Sequence, residues 1–131
     1  MHANCQCGNL QAEVIGSGEG VMCHCKACQR RSGSPFGMMI YFATESVSLS
    51  GNVTDYTRIA DSGNELTHGF CPVCGSPFYL KTPLHPGGIG IAAGVFETQA
   101  AAPVRSIFEE NRFAWVNIPE DAQRFPRGRR G

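Results

Sequence analysis

Seven cysteines fall in three groups along the chain: Cys5 and Cys7, then Cys23, Cys25 and Cys28, then Cys71 and Cys74. Spacings of the C-x-C and C-x-x-C kind put two sulfurs on one side of a tight turn. Two such turns brought together make a tetrahedral zinc site, with Zn–S near ~2.3 Å. Cys5/Cys7 with Cys71/Cys74 is the economical closed set, and Gly75 after Cys74 suits a knuckle that needs a positive φ. Joining Cys5 and Cys7 to two members of the middle group is the other division. Under the first, Cys23-His24-Cys25-Lys26-Ala27-Cys28 keeps three thiols for one metal, the ligand count of a catalytic zinc with an open position.

Adjacent side chains in extended chain point to opposite sides, so His24 should face away from a metal held by Cys23 and Cys25. Three thiolates push negative charge onto zinc and make it a weak activator of water. They leave it well suited to a soft sulfur ligand held as thiolate. The chemistry this favours is that of a thiol substrate rather than a metal-hydroxide hydrolase. Lys26, Arg30 and Arg31 lie beside the group. They would offset its charge or grip a substrate carboxylate, or else be solvated surface charges. The group itself has two plainer readings: a second structural site completed by water or another chain, or a redox trap.

The chain around these residues has 131 positions, enough for one domain with a real core. The boundaries are residues 1–131, with a core over about 3–125 and a basic tail over 126–131 expected to be frayed. Eleven basic and eleven acidic side chains cancel, which argues against a nucleic-acid-binding face. The odd cysteine count argues against a paired disulfide framework. No basic-then-apolar leader and no spanning apolar stretch is visible, so no membrane association and a cytoplasmic setting are expected. Clustered thiols there bind metal or do redox chemistry.

The elements that must position these thiols read as mainly β. Strand patterns run over 10–15, 37–42, 46–50, 53–59, 65–70, 78–81, 88–95 and 104–108. Residues 16–20 read as a loop, Asp61-Ser62-Gly63-Asn64 as a turn, and Lys26 to Arg31 as a short helical turn ended by Gly33-Ser34-Pro35. Turn residues at this spacing imply an antiparallel domain. Phe113 and Trp115 are expected to pack in the core.

The order Cys5-Gln6-Cys7-Gly8, then Cys23-His24-Cys25-Lys26-Ala27-Cys28, then Phe70-Cys71-Pro72-Val73-Cys74-Gly75-Ser76-Pro77 resembles the glutathione-dependent formaldehyde-activating (GFA) family. The same domain occurs in centromere protein V and its relatives. Ser32-Gly33-Ser34-Pro35-Phe36, Tyr56, Gly94-Val95-Phe96, Ser106-Ile107-Phe108 and Ala114-Trp115 support the match over roughly 3–125. The resemblance implies strongly bent antiparallel sheets of the β-tent type. It implies a structural zinc on Cys5, Cys7, Cys71 and Cys74, and a second zinc on Cys23, Cys25 and Cys28. It also implies the condensation of glutathione with formaldehyde to S-hydroxymethylglutathione, classed as a carbon–sulfur lyase activity. The chain departs from the family at Arg105 or Ser106, before Ile107-Phe108, where members often carry His.

The expected function is therefore a zinc-dependent carbon–sulfur lyase-type enzyme with a glutathione-like thiol and a small aldehyde as partners. Arg30, Arg31 and Arg58 are the candidate contacts to the thiol's carboxylates. The competing expectation is a non-enzymatic zinc-stabilised binding or redox-sensing module, which would recognise a partner through an exposed apolar patch.

Overall fold

The computed structural model describes residues 1–129. Over these residues the strands are β1 (His2–Asn4), β2 (Gln11–Val14), β3 (Glu19–Cys23), β4 (Gly37–Ala43), β5 (Val47–Ser50) and β6 (Thr54–Ile59). They continue as β7 (Glu65–Phe70), β8 (Pro77–Lys81), β9 (Gly88–Ala92), β10 (Pro103–Ile107) and β11 (Gln123–Arg124). One short helix, α1 (Lys26–Ser32), follows β3. Strands β1-β2-β5 form a small sheet, and the order β11-β10-β3-β4-β9-β8-β7-β6 forms a large one.

The fold is mainly β, and most pairings are antiparallel as the turn pattern implies. The exceptions lie at one end: β10 runs parallel to β3, and β11 parallel to β10. Both arrive by long excursions rather than tight hairpins, which frees them to run in the direction of the neighbour they join. Residues 93–95, read as the end of a strand, instead turn as a 3-10 segment.

Strand β3 replaces part of an expected loop. Gly18 and Gly20 suggest a turn in sequence, but here they allow close approach. A Cβ at Gly18 would lie 2.7 Å from the Tyr41 carbonyl, and one at Gly20 2.8 Å from the Ala102 carbonyl.

Cross-strand partners share a face, and successive residues alternate faces. One row runs Gly20, Ile40, Ile91, Tyr79, Gly69, Asp55 across the large sheet. Its Ile40, Ile91 and Tyr79 join Phe42, Phe78 and Ile89 against Ala3, Ala12 and Val14 of the small sheet. Burying each of the larger of these side chains contributes about 1.5–3 kcal/mol. The Tyr79 ring lies flat over Gly69, where a Cβ would come within 2.4 Å of it, and its hydroxyl donates to the Asp55 carboxylate. That contact ties the β6–β7 hairpin to the sheet.

The adjacent row runs Glu19, Tyr41, Gly90, Leu80, His68, Tyr56. It lies outside the core shared by the two sheets, although Leu80 is itself buried.

Two expectations fail near the C-terminus. The tail is not loose over Pro126 and Arg127: the Phe108 N–H donates to the Arg127 carbonyl at 2.9 Å, and the Glu110 N–H to the Pro126 carbonyl at 3.2 Å. Arg127 also pairs with Glu110 at 3.5 Å. Residues 130 and 131 of the tail lie outside the described residues. Phe113 and Trp115 are not core: they are 40% and 71% exposed. The Arg112 guanidinium donates to the carbonyls of Phe113, Ala114 and Val116, closing a turn that buries Val116 and sends both rings outward.

Candidate metal centres and the cleft beside them

The first cysteine group joins the turn after β1 to the turn after β7. The sulfurs of Cys5, Cys7, Cys71 and Cys74 all lie within 4.8 Å of one another. The Cys5–Cys7 and Cys7–Cys71 sulfur separations are both 3.7 Å. A tetrahedron with ~2.3 Å metal–sulfur bonds has edges of roughly 3.8 Å, so the donors fit one ion.

Backbone N–H groups turn toward the sulfurs. Leu10 donates to Cys5 at 3.2 Å, and Val73 and Cys74 donate to Cys71 at 3.4 and 3.5 Å. The Asn9 side chain adds a further N–H to Cys71 at 3.4 Å. Such bonds stabilise thiolates rather than thiols. The Ser76 hydroxyl, with its backbone N–H, brings Cys74 down to about 5. Gly75 has the positive φ (78°) that the knuckle needs, and its N–H closes the turn onto the Cys71 carbonyl. Cys5 and Cys71 are fully buried against the core.

The second group is supplied by a single segment. Cys23 ends β3 opposite Gly37, Cys25 caps the N-terminus of α1, and Cys28 sits one turn in. Their sulfurs also lie within 4.8 Å of one another. Cys25 accepts from the Cys28 N–H at 3.4 Å. The Cys23 thiol, then the Cys28 thiol, hold Cys25 well below the ordinary thiol range, and the Arg58 charge adds to this. Both groups can therefore hold a metal ion on sulfur: the first closed by four donors, the second with three.

His24 is not among the converging donors. It is fully buried, with Nε2 2.9 Å from the Ser106 hydroxyl, and Nδ1 has no hydrogen-bond partner among the described residues. Burial holds its pKa below the ordinary value. Arg105 turns to Glu19 at 2.9 Å. Ser106 thus serves the buried histidine, and Arg105 an ion pair.

A cleft of about 410 Å³ opens beside Cys28. The three arginines singled out from sequence, Arg30, Arg31 and Arg58, all line it. None has a carboxylate partner among the described residues, whereas Arg105, Arg112, Arg124 and Arg127 are all ion-paired. Arg31 reaches the Cys28 sulfur at 3.8 Å across Gly37, where a Cβ would lie 2.4 Å from the guanidinium. Lys26 turns elsewhere, over the Phe113 ring at 5.9 Å.

The far wall of the cleft is the β6–β7 hairpin, with Tyr56, Leu66 and His68. Sequence reasoning missed His68 and gave Tyr56 no role in the site. Their register was available in outline, because a hairpin closed at Asp61-Ser62-Gly63-Asn64 brings Tyr56 opposite His68. That this hairpin faces α1 was not.

The sequence model of the family described as "Glutathione-dependent formaldehyde-activating enzyme" matches residues 1–111.

The chain belongs to the GFA family.

The match ends at residue 111, short of the end of the roughly 3–125 span expected from the resemblance, so the Trp115 turn lies beyond it. No curated protein matches the chain. A crystal structure of a Rhodobacter sphaeroides protein shares the fold at a TM-score of 0.60 and 19% identity, over 95% of this chain and 99% of that one. For this GFA member, no described helix is long and apolar enough to cross a membrane.

Proposed function

We propose that this GFA chain is a zinc-dependent enzyme of the carbon–sulfur lyase type, working in the cytoplasm. It joins a low-molecular-weight thiol such as glutathione to a small aldehyde such as formaldehyde. What carries the reading is a conjunction: a three-sulfur group opening beside a cleft whose three arginines lack carboxylate partners among the described residues.

Zinc on Cys23, Cys25 and Cys28 would favour the thiolate form of an incoming thiol. Zinc on Cys5, Cys7, Cys71 and Cys74 would hold the fold and take no part in the reaction. The chain's own residues supply the rest. Arg30, Arg31 and Arg58 offset the negative charge of the thiolate group and offer forked donors to the thiol's carboxylates. The cleft volume of about 410 Å³ suits a small molecule, since such sites commonly span roughly 300–1,000 Å³. Confinement of thiol and aldehyde in one pocket removes much of the entropic barrier to their addition.

The test is zinc content and glutathione affinity in wild type and Cys25→Ser. The expected result is two zinc ions per wild-type chain, one per variant chain, and a large loss of glutathione affinity in the variant. Equal affinity in both proteins would sink the reading.

One observation favours the alternative, a non-enzymatic zinc-stabilised binding or redox-sensing module. The Arg112-clasped turn presents Trp115 to solvent, as a partner-recognition surface would. A single zinc per chain, indifferent to thiols, would favour that alternative.

A further inference from the structure

His68 differs from the other three histidines in what occupies its ring. His2 pairs with Glu13, His24 is sealed against Ser106, and His85 is stacked on Tyr41. His68 lies in the row that faces α1 and lines the cleft together with Cys28, Arg31 and Arg58. The Tyr56 and Phe70 rings flank it at 5.5 and 6.0 Å between centroids. No hydrogen bond engages its ring nitrogens among the described residues.

The reaction proposed above has to move one proton. As the thiol sulfur bonds the aldehyde carbon, the S–H bond breaks and the carbonyl π pair goes to oxygen. The products balance as R–SH plus H₂C=O giving R–S–CH₂–OH, with nothing oxidised or reduced and no leaving group. The proton must leave sulfur and arrive on oxygen. Among the cleft's lining groups, the arginines do not release protons near neutrality. Tyr56 offers a phenol, a far poorer base than an imidazole, and Cys28 is committed to the sulfur group. An imidazole suits both halves of such a transfer.

Resting on that reading, we infer that His68 is the proton carrier of the cleft, taking the thiol's proton and returning it to the aldehyde oxygen. Its surroundings fit the task. Across the cleft from it stand Arg30, Arg31 and Cys28 of α1; on β6 Tyr56 is its cross-strand partner and Arg58 lines the same wall, with Asp55 one residue along. Its β8 partner, Leu80, carries no charge; the neighbours Tyr79 and Lys81 belong to the opposite row. Burial first, then Arg31 and Arg58, hold His68 below its ordinary pKa, while Asp55 opposes them. The imidazole is therefore neutral at pH 7 in the empty cleft and able to accept a proton. Carboxylates of a bound thiol, seated on Arg31 and Arg58, offset those charges and raise its basicity when the proton must be taken.

Two measurements on zinc-loaded wild type, His68→Gln and His68→Ala test this. Adduct formation from glutathione and formaldehyde is followed by NMR from about pH 5 to about pH 8. Glutathione binding is measured calorimetrically in buffers of different ionisation enthalpy, which counts the protons released. The expected result is a fall in kcat of about 10²-fold or more in both variants, with KM for glutathione within about twofold. The wild-type kcat should fall as pH drops and His68 protonates, and that limb should vanish in the variants. The variants should also release close to one more proton per thiol bound, because His68 no longer retains it. An unchanged kcat, a loss confined to KM, or equal proton release overturns the inference and leaves the proposed function standing. A wild type that binds glutathione without accelerating the reaction overturns both.

Discussion

The two cysteine groups set the same atom in opposite surroundings. The first draws its sulfurs from turns more than sixty residues apart, Cys7 and Cys71 being separated by 64 positions, and buries Cys5 and Cys71 against the core. Backbone and side-chain N–H groups from Leu10, Val73, Cys74 and Asn9 surround it. The second takes three sulfurs from one segment of six residues and borders an open cleft. Four donors from distant segments make a cross-link, because an ion held there closes a long loop. Three donors from one segment close almost no loop, so an ion there adds little to the fold. Ligand number and sequence separation, not the chemistry of sulfur, set the two groups apart.

The largest expected effect tests the closed group. Cys71→Ser should abolish folding, since structural zinc in small domains contributes about 10–16 kcal/mol and net stability is only about 5–15 kcal/mol. Circular dichroism and thermal melting report this. A folded, active Cys71→Ser protein would break the division of labour between the groups.

Cys25→Ser should act the other way round. The second zinc and glutathione binding should be lost, while stability changes by less than about 2 kcal/mol. Metal analysis and a denaturant titration on one sample measure both. A collapse like that of Cys71→Ser would mean the second group is structural as well.

Next in size are the cleft arginines. Arg58→Ala or Arg31→Ala should raise KM for glutathione by about tenfold or more, the loss of a charge-assisted hydrogen bond of about 1.5–3 kcal/mol. Zinc content should stay at the wild-type level. An unchanged KM in both would return these side chains to solvated surface charges.

Gly37→Ala probes the same contact more gently. The added methyl would displace the Arg31 guanidinium, which lies 2.4 Å away, and press on the Cys28 Cβ at 3.2 Å. A severalfold rise in KM with a stability cost of about 1–3 kcal/mol is expected. The smallest effect belongs to Trp115→Ala, at 71% exposure: stability within about 0.5 kcal/mol and unaltered kinetics. A large change in glutathione kinetics there would bring the aromatic turn into the cleft's workings.

Much of this was legible in the strand patterns. Glu65–Phe70 is a strand over the residues expected beside the Asp61-Ser62-Gly63-Asn64 turn, and α1 covers Lys26–Ser32, one residue beyond the expected turn. The misreadings have particular causes. Gly18 and Gly20 look like turn residues and are close-approach residues, so β3 was hidden. The tail looks solvated because Arg127 and Arg129 are charged, yet backbone N–H groups of Phe108 and Glu110 bind its carbonyls, which sequence does not display. Trp115 looks like core by its size, and a single arginine clasp turns it out.

By itself the sequence determined the three groups of thiols, the knuckle glycine and the identity of three arginines. Each follows from residue type and from spacing within a turn, where geometry is local. Only the tertiary structure decided that Arg58, Tyr56 and His68 stand across a cleft from Cys28 and Arg31. That encounter depends on how the large sheet brings the β6–β7 hairpin round to α1, anchored by Tyr79 lying over Gly69 onto Asp55. The reason is physical: neighbours in a turn are set by bond geometry, whereas partners thirty or forty residues apart are set by the packing of everything between them.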